Sequence, residues 1–435
     1  MRSLGDDVKE PGQAELPRVA VFWEQASASP LELADAARGL CRIVWVVGWS
    51  MSKAEMTFPD RIMARLGVLV DITGKSEKEV LDLLRPHELQ GVVAFTDSPQ
   101  VLAAKVAASF GLPFSSVDAA RRSSDKFEQR SALQKAGIPV PGFIKLKPSD
   151  FPKAADRPLP LAYPAVLKPC HGSGSRDTFF VRDDADLRRT LELCDKEDFI
   201  LEEFLEGSPE PASKVGADIV SVESVLLNGV AHHFGVTGRF PFAPPFRETG
   251  SFFPSDCSLE DRRAVLTLAT AAISSLCLSH GAVHTEIKLT PSGPRLIEIN
   301  PRVGGLIAFL VARLGGPPLA VLAFRLALGL EVEPPPAIVS PLISFVRWIP
   351  SAASATDLDE IAGIDRLRAL PGVESIAQNK RQGDRLDARE GGATGYLLAV
   401  KGAVGSHQEL RQLLAEIDNS LTVTYGSAQP SVTSC

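Results

Sequence analysis

The chain has 435 residues, 45% of them hydrophobic and 23% charged, too many for one compact core and ordinary for a globular protein of two or three packed domains. Its formal net charge of −7 comes without a Lys/Arg run of the kind that a phosphate backbone requires, which argues against nucleic acid as a partner. The cysteines Cys41, Cys170, Cys194, Cys257, Cys277 and Cys435 are scattered with no CxxC pair, a pattern of reduced thiols rather than of a disulfide framework or zinc site, so the cytoplasm is the expected compartment.

Residues 1–16 carry acids, Pro and Gly where a secretory leader needs a basic start and an apolar core, and a disordered tail is expected there. No apolar run reaches the roughly 18 residues that suggest a membrane span. A soluble protein with no membrane partner is therefore expected. From Arg18, short β-branched runs (RVAVFWE, RIVWVVG, VLVDITG, VVAFTD) alternate with helix-period segments (LELADAARGL, EKEVLDLLRPHEL, VLAAKVAASFGL). That alternation predicts βαβ units and a parallel, Rossmann-like sheet over residues 17–120. The first strand lacks a following G-x-G-x-x-G turn, so this sheet does not read as a dinucleotide site.

A second domain is expected over 121–335. In SSDKFEQRSALQKAGIPVP, Ser124 or Asp125 can cap a helix that runs to Ala136, with Gly137 as its stop and Pro139 and Pro141 forcing an extended exit. The strand YPAVLKP follows, then CHGSGSRD, then the strand TFFVRD. A Walker loop joins a strand to a helix, whereas glycines between two strands make a flap whose backbone N–H groups can close over phosphates. Taken alone, such a hairpin is more often a plain turn. FILEEFLEG and ADIVSVESVLLNGV read as sheet and LEDRRAVLTLATAAISSLCLSH as a long amphipathic helix. Between them GRFPFAPPFRETGSFFPS has no period, so it is a loop, and loops of that length are usually functional or disordered; its phenylalanines argue against disorder. From EPPPA to residue 435, mixed strand and helix signals predict a smaller α+β cap, 336–435.

The stretch HTEIKLTPSGPRLIEINPRVGG, 284–305, reads as two strands around a five-residue loop, TPSGP. If Leu289 faces Arg295, Glu286 stands opposite Glu298, with Lys288 beside the first and Asn300 beside the second. Like charges at that separation are destabilising unless something neutralises them. Two carboxylates and an amide oxygen form a hard oxygen site that suits Mg²⁺, and Arg302 follows at once with a planar fork for a carboxylate or phosphate. The alternative is a solvated hairpin whose acids point into water.

Taken in order, DK…R…L…AGIPVP, AVLKP…GSGS, ILEEFLEG, SVESVLLNG, HTEIKL and RLIEINPRVGG resemble the ATP-grasp superfamily, and within it the carboxylate–amine ligases of the L-amino-acid (dipeptide) ligase and carnosine-synthase-like group. The resemblance spans roughly residues 18–430 and is strongest from Asp125 to Gly305. It implies an α/β and α+β fold: an N-terminal pre-ATP-grasp domain, a central ATP-grasp domain with a flap subdomain at about 140–205, and the C-terminal cap. It implies that Lys126 and Lys168 hold the nucleotide phosphates, that Gly172, Ser173, Gly174 and Ser175 cover them, and that Glu202, Glu203 and Leu205 lie on the hinge strand where backbone groups meet adenine. Asp218 is the nearest acid for the ribose, offset by a short insertion. Glu286, Glu298 and Asn300 match the metal ligands. Lys288 is placed to reach a phosphate, Arg302 to steady the reacting group, and Arg247 to hold a carboxylate or the acyl phosphate.

The implied cofactors are ATP and Mg²⁺, as two ions, with Mn²⁺ as a substitute. The implied partners are a small carboxylic acid and an amine, and family members are often homodimers. The implied reaction activates the acid as an acyl phosphate and lets the amine displace phosphate. Phe246, Phe252, Leu306 and Phe309 are candidate walls of an apolar side-chain pocket. Related ligases have a His near Ser251, and His284 is the nearest alternative here. Two rival readings keep the nucleotide site: a carboxylase-like enzyme that activates bicarbonate, and a nucleotide-binding protein without catalysis. The long aromatic loop favours an organic acid over the first, and the presence of both lysines, both glutamates and Arg302 speaks against the second.

Overall fold

The computed structural model describes residues 16–426 except 25–27, 49–56, 155–158, 195–196, 209–214, 245 and 391–394. The tail expected over 1–16 therefore falls, apart from Leu16, outside the described residues, and so does Cys435. Among the described residues no helix is long and apolar enough to cross a membrane, and Cys41, Cys170, Cys194, Cys257 and Cys277 are free thiols.

Strands β1 (Arg18–Phe22), β2 (Arg42–Val47), β3 (Val68–Asp71) and β4 (Gly91–Ala94) form a parallel sheet in the order β3-β2-β1-β4. The residues of β1, β2 and β4 are buried in nearly continuous runs, as strands covered on both faces require, while the edge strand β3 buries only Val70. The covering helices Pro30–Ala37 and Glu77–Leu84 each start at a capping box, Ser29 with Glu32 and Ser76 with Glu79. One cover comes from far along the chain. The helix Leu319–Ala327 sets Phe324 and Ala327 into the same core, and a side chain at Gly91 would meet the Ala327 carbonyl.

The helices Val117–Ser124 and Lys126–Lys135 meet at Asp125, which ends the first and caps the second by accepting from the Phe127 and Glu128 N–H groups. Gly137, at φ 75°, lets the chain leave the second helix. A small antiparallel sheet follows: β5 (Phe143–Leu146), β6 (Ala165–Pro169), β7 (Phe179–Val181) and β8 (Phe199–Glu203), in the order β5-β8-β6-β7. The Gly/Ser segment joins β6 to β7, which pair directly, so it is the tip of a two-stranded flap.

The rest of the strands are β9 (Ile219–Leu227), β10 (Val230–Arg239), β11 (Gly250–Phe253), β12 (Gly281–Thr290), β13 (Gly293–Asn300), β14 (Ile343–Pro350), β15 (Leu358–Ala362), β16 (Val373–Gln378), β17 (Tyr396–Val404) and β18 (Thr422–Tyr425). Eight of them make one antiparallel sheet, β13-β12-β9-β10-β11-β14-β17-β16. This sheet does not break at residue 336. From the C-terminal segment β14 pairs onto β11 and β17 onto β14, and Phe240 and Phe252 share a core with Phe345, Leu398 and Leu410. On the other half, Ile287, Leu289 and Leu296 face the helix Leu259–Ser275.

β13 is an edge strand, and a side chain completes it. The Gln129 amide donates to the Ile299 carbonyl and accepts from the Ile299 N–H, both at 2.9 Å, as a neighbouring strand would. Gln129→Leu should therefore lower unfolding free energy by about 1–3 kcal/mol through two orphaned buried backbone groups, read as a shift in the urea midpoint; an unchanged midpoint would mean that water replaces the amide.

Candidate active site

A cleft of about 330 Å³ opens where the three sheets converge. Its floor is β10, β12 and β13, its roof the flap between β6 and β7, and its far wall the segments that follow β1 and β4. The floor depends on one irregularity. The β12–β13 turn is only Pro291–Ser292, tighter than the sequence suggests, so Lys288 rather than Leu289 faces Arg295. Continued regularly, that register would set Glu286 against Ile297. A β-bulge leaves Ile297 as an extra residue and brings Glu286 opposite Glu298 and His284 opposite Asn300. The Ile297 carbonyl accepts from the guanidinium of Arg130, a fully buried residue whose Nε lies 2.7 Å from Glu202.

Arg239, which no sequence argument singled out, sits at the centre of the floor. It is 6% exposed and donates to Glu248, to Glu286 at 2.8 Å and to the Ser221 hydroxyl at 3.3 Å. Burial pushes the Glu286 carboxyl up, but Arg239, His284 and Arg302 together hold it well below the usual carboxylate range. Burial and Arg239 both disfavour a charged His284. The Glu223 carboxylate at 2.9 Å and Glu286 outweigh them and raise the ring to about 9. Thr237 donates to Glu223 at 3.0 Å, so the network continues into the sheet.

The two lysines named from sequence both face this cleft. Lys126 Nζ reaches the Glu298 carboxylate at 3.0 Å and the Gly172 carbonyl at 2.6 Å, joining floor to flap. Lys168 pairs with Glu202 at 2.7 Å. The Glu202 side chain is thus an internal anchor: burial raises its carboxyl, Arg130 and Lys168 lower it, and the cations prevail. Glu203 and Leu205 line the cleft beside it, as do Gly172, Ser173, Gly174 and Ser175.

Lys288 is held by Asp218 at 2.7 Å. Asp218 lies so close over Gly207 that a Cβ there would overlap its carboxylate. Arg302 reaches the cleft while its fork is gripped by Asp97, at 3.0 Å from Nε and 2.7 Å from Nη2, in the segment after β4. The fold does not bring Arg247 to the cleft. Its guanidinium donates to the carbonyls of Pro244 and Ser351 and to the Ser351 hydroxyl, which staples the aromatic loop to the C-terminal segment. Of the four proposed apolar wall residues, Phe246 and Leu306 line the cleft. Phe252 is buried against Phe240, and Phe309 lies under the Lys401 ammonium. Phe246 also touches Phe204 of the hinge and Phe180 of the flap, with ring centroids 6.4 and 6.3 Å away.

Among the described residues no group of three or more His, Cys, Asp or Glu is arranged to hold a metal. The donor set here is two carboxylates and the Asn300 amide. It fits a hard cation that draws its other oxygens from water and phosphate, and does not fit zinc.

Residues 123–306 match a family model described as an ATP-grasp domain. The chain is 39% identical over 132 residues to carnosine synthase 1 of Gallus gallus, covering 30% of this chain and 13% of that protein. It is 27% identical over 256 residues to alanine–anticapsin ligase of Bacillus amyloliquefaciens, covering 53% of each. The chain thus spans about half or less of the length of these curated relatives. The crystal structure of an L-amino acid ligase from Bacillus licheniformis superposes with a TM-score of 0.74 at 19% identity, covering 96% of this chain and all of that one, which is a likeness of fold.

Proposed function

We propose, on the premise that the chain belongs to the ATP-grasp superfamily, that it is an ADP-forming ligase which joins a small carboxylic acid, an amino acid by preference, to an amine. The observation that carries this reading is the bulge-set register of β12 on β13, which puts Glu286, Glu298 and Asn300 in one cleft with Lys126, Lys168 and the flap.

Lys126, Lys168 and the backbone of Gly172–Ser175 bind the nucleotide phosphates. Glu286, Glu298 and Asn300 would hold Mg²⁺, which neutralises phosphate charge when bound. The acid's carboxylate oxygen attacks the γ-phosphorus and ADP leaves, giving an acyl phosphate. The amine then attacks the acyl carbon, losing a proton as phosphate departs. Charge spreads over the transferring oxygens, so Arg302 and Lys288 act by electrostatic stabilisation rather than by covalent chemistry. The flap excludes water, which would otherwise hydrolyse the acyl phosphate. Phe95, Leu306 and Trp348 are also among the cleft's lining residues, and an acid bound against them would favour an apolar side chain.

The test is phosphate release from the purified protein with Mg-ATP against amino acids and small acids, singly and in pairs, with mass spectrometry of the product. Release that needs two substrates and a product equal to their sum less one water supports the reading. Release driven by bicarbonate alone replaces it with carboxylation. Within the same site, Lys168→Ala should weaken ATP binding by roughly a hundredfold, the cost of removing a partner from a buried charge pair; calorimetry showing unchanged affinity would remove this lysine from the phosphate site.

A further inference from the structure

The tip of the flap is tied to a residue 212 positions away in the chain. Asp177 follows the Gly/Ser loop and is 6% exposed. One of its carboxylate oxygens accepts from Arg389 Nε at 2.8 Å, with Arg389 Nη2 at 2.7 Å; the other accepts from Arg176 Nη1 at 2.8 Å. The Asp177 N–H also donates to the Arg389 carbonyl at 3.4 Å. Arg176 continues the chain of charges to Glu197 at 2.9 Å, and its guanidinium lies against Gly172.

The backbone needs such a tie. Ser175 and Asp177 both carry side chains at left-handed φ, 61° and 46°, which are sparsely populated and persist only where surrounding contacts impose them. The flap strands β6 and β7 pair with each other, and β6 with β8, inside the flap's own small sheet. The Asp177–Arg389 pair instead connects its tip to the segment between β16 and β17, which belongs to the large sheet carrying the floor of the cleft. Arg389 itself does not line the cleft.

We propose that Arg389 is a positioning residue: through Asp177 it holds the Gly172–Ser175 backbone in the shape that covers the nucleotide phosphates, so that the C-terminal segment sets how tightly the flap closes. The proposal rests on the nucleotide reading of the cleft. Its physical content is a coupling between two sites, one at the phosphates and one at the Asp177–Arg389 pair, each of which is more stable when the other is formed. A loosened flap admits water to the acyl phosphate, so phosphate release should outrun amide formation.

The test compares Arg389→Ala, Arg389→Lys and wild type by three measurements. These are trypsin cutting after Arg176 with and without a non-hydrolysable ATP analogue, the Kd of that analogue, and the ratio of phosphate released to amide formed. Arg389→Ala should be cut faster even without nucleotide and should bind the analogue roughly tenfold more weakly, within the ordinary range for coupled sites. Its phosphate-to-amide ratio should rise while its melting temperature stays close to wild type. Arg389→Lys, which keeps the charge and loses the fork, should fall between. Wild-type cutting, analogue affinity and product ratio in Arg389→Ala would overturn the proposal. If wild type binds no analogue, the nucleotide reading fails, and the cutting rates without nucleotide still decide whether Arg389 holds the flap tip.

Discussion

Glu298→Ala is expected to lower phosphate release by on the order of a thousandfold, the scale of losing a group that stabilises transition-state charge, while leaving the protein folded. The two effects separate because of where Glu298 sits. Its side chain is about one-fifth exposed and stands across from Glu286, so truncation relieves a like-charge contact as it removes a Lys126 partner. The β-bulge that sets the register is fastened by Arg130 and Gln129 through backbone groups, and neither fastening needs the Glu298 carboxylate. Catalytic assay and a thermal melt on the same preparation check it. A collapsed melting temperature would make Glu298 a structural residue and remove the main support for the metal site.

Arg239→Met should cost both fold and activity. The guanidinium is buried among Glu248, Glu286 and the Ser221 hydroxyl, so its removal leaves two mostly buried carboxylates without the cation they share. Breaking a buried pair from one side typically costs about 3–5 kcal/mol. The midpoint of denaturant unfolding should fall accordingly, and the Glu286 carboxyl, left with His284 and Arg302 but without Arg239, should titrate higher than in the wild type. Arg239→Lys distinguishes charge from shape. Lysine keeps the charge but lacks the planar fork that donates to Glu248 from one nitrogen and to Glu286 from another, so most of the stability should return and less of the activity. A Met variant with wild-type stability would show that the floor repacks around its acids.

Local chemistry made much of this protein readable in its sequence. The parallel sheet followed from β-branched runs alternating with helix-period segments, and the helix after Asp125 from its cap and from Gly137, because each signal acts within a few residues. The opposition of Glu286 and Glu298 was also legible, although for an incomplete reason. A regular hairpin with a five-residue loop predicts it, whereas the chain uses a two-residue turn and a bulge whose offsets cancel. Hairpin register is set by turn length plus irregularities, and a bulge has no strong signal of its own in one sequence.

What the sequence by itself determined was the inventory of the cleft: two lysines, a Gly/Ser flap between strands, two opposed acids, Asn300 and Arg302. What only the tertiary structure decided was pairing across long separations. Arg239 meets Glu286 and Glu248, Arg302 meets Asp97 from the segment after β4, and Arg389 meets Asp177 on the flap. Arg247 shows the same limit from the other side, since it has the right chemistry and position in an aromatic loop but turns to Ser351. The physical reason is that strand periodicity fixes which face a side chain takes, while the partner of a buried charge depends on which distant segment is folded against that face.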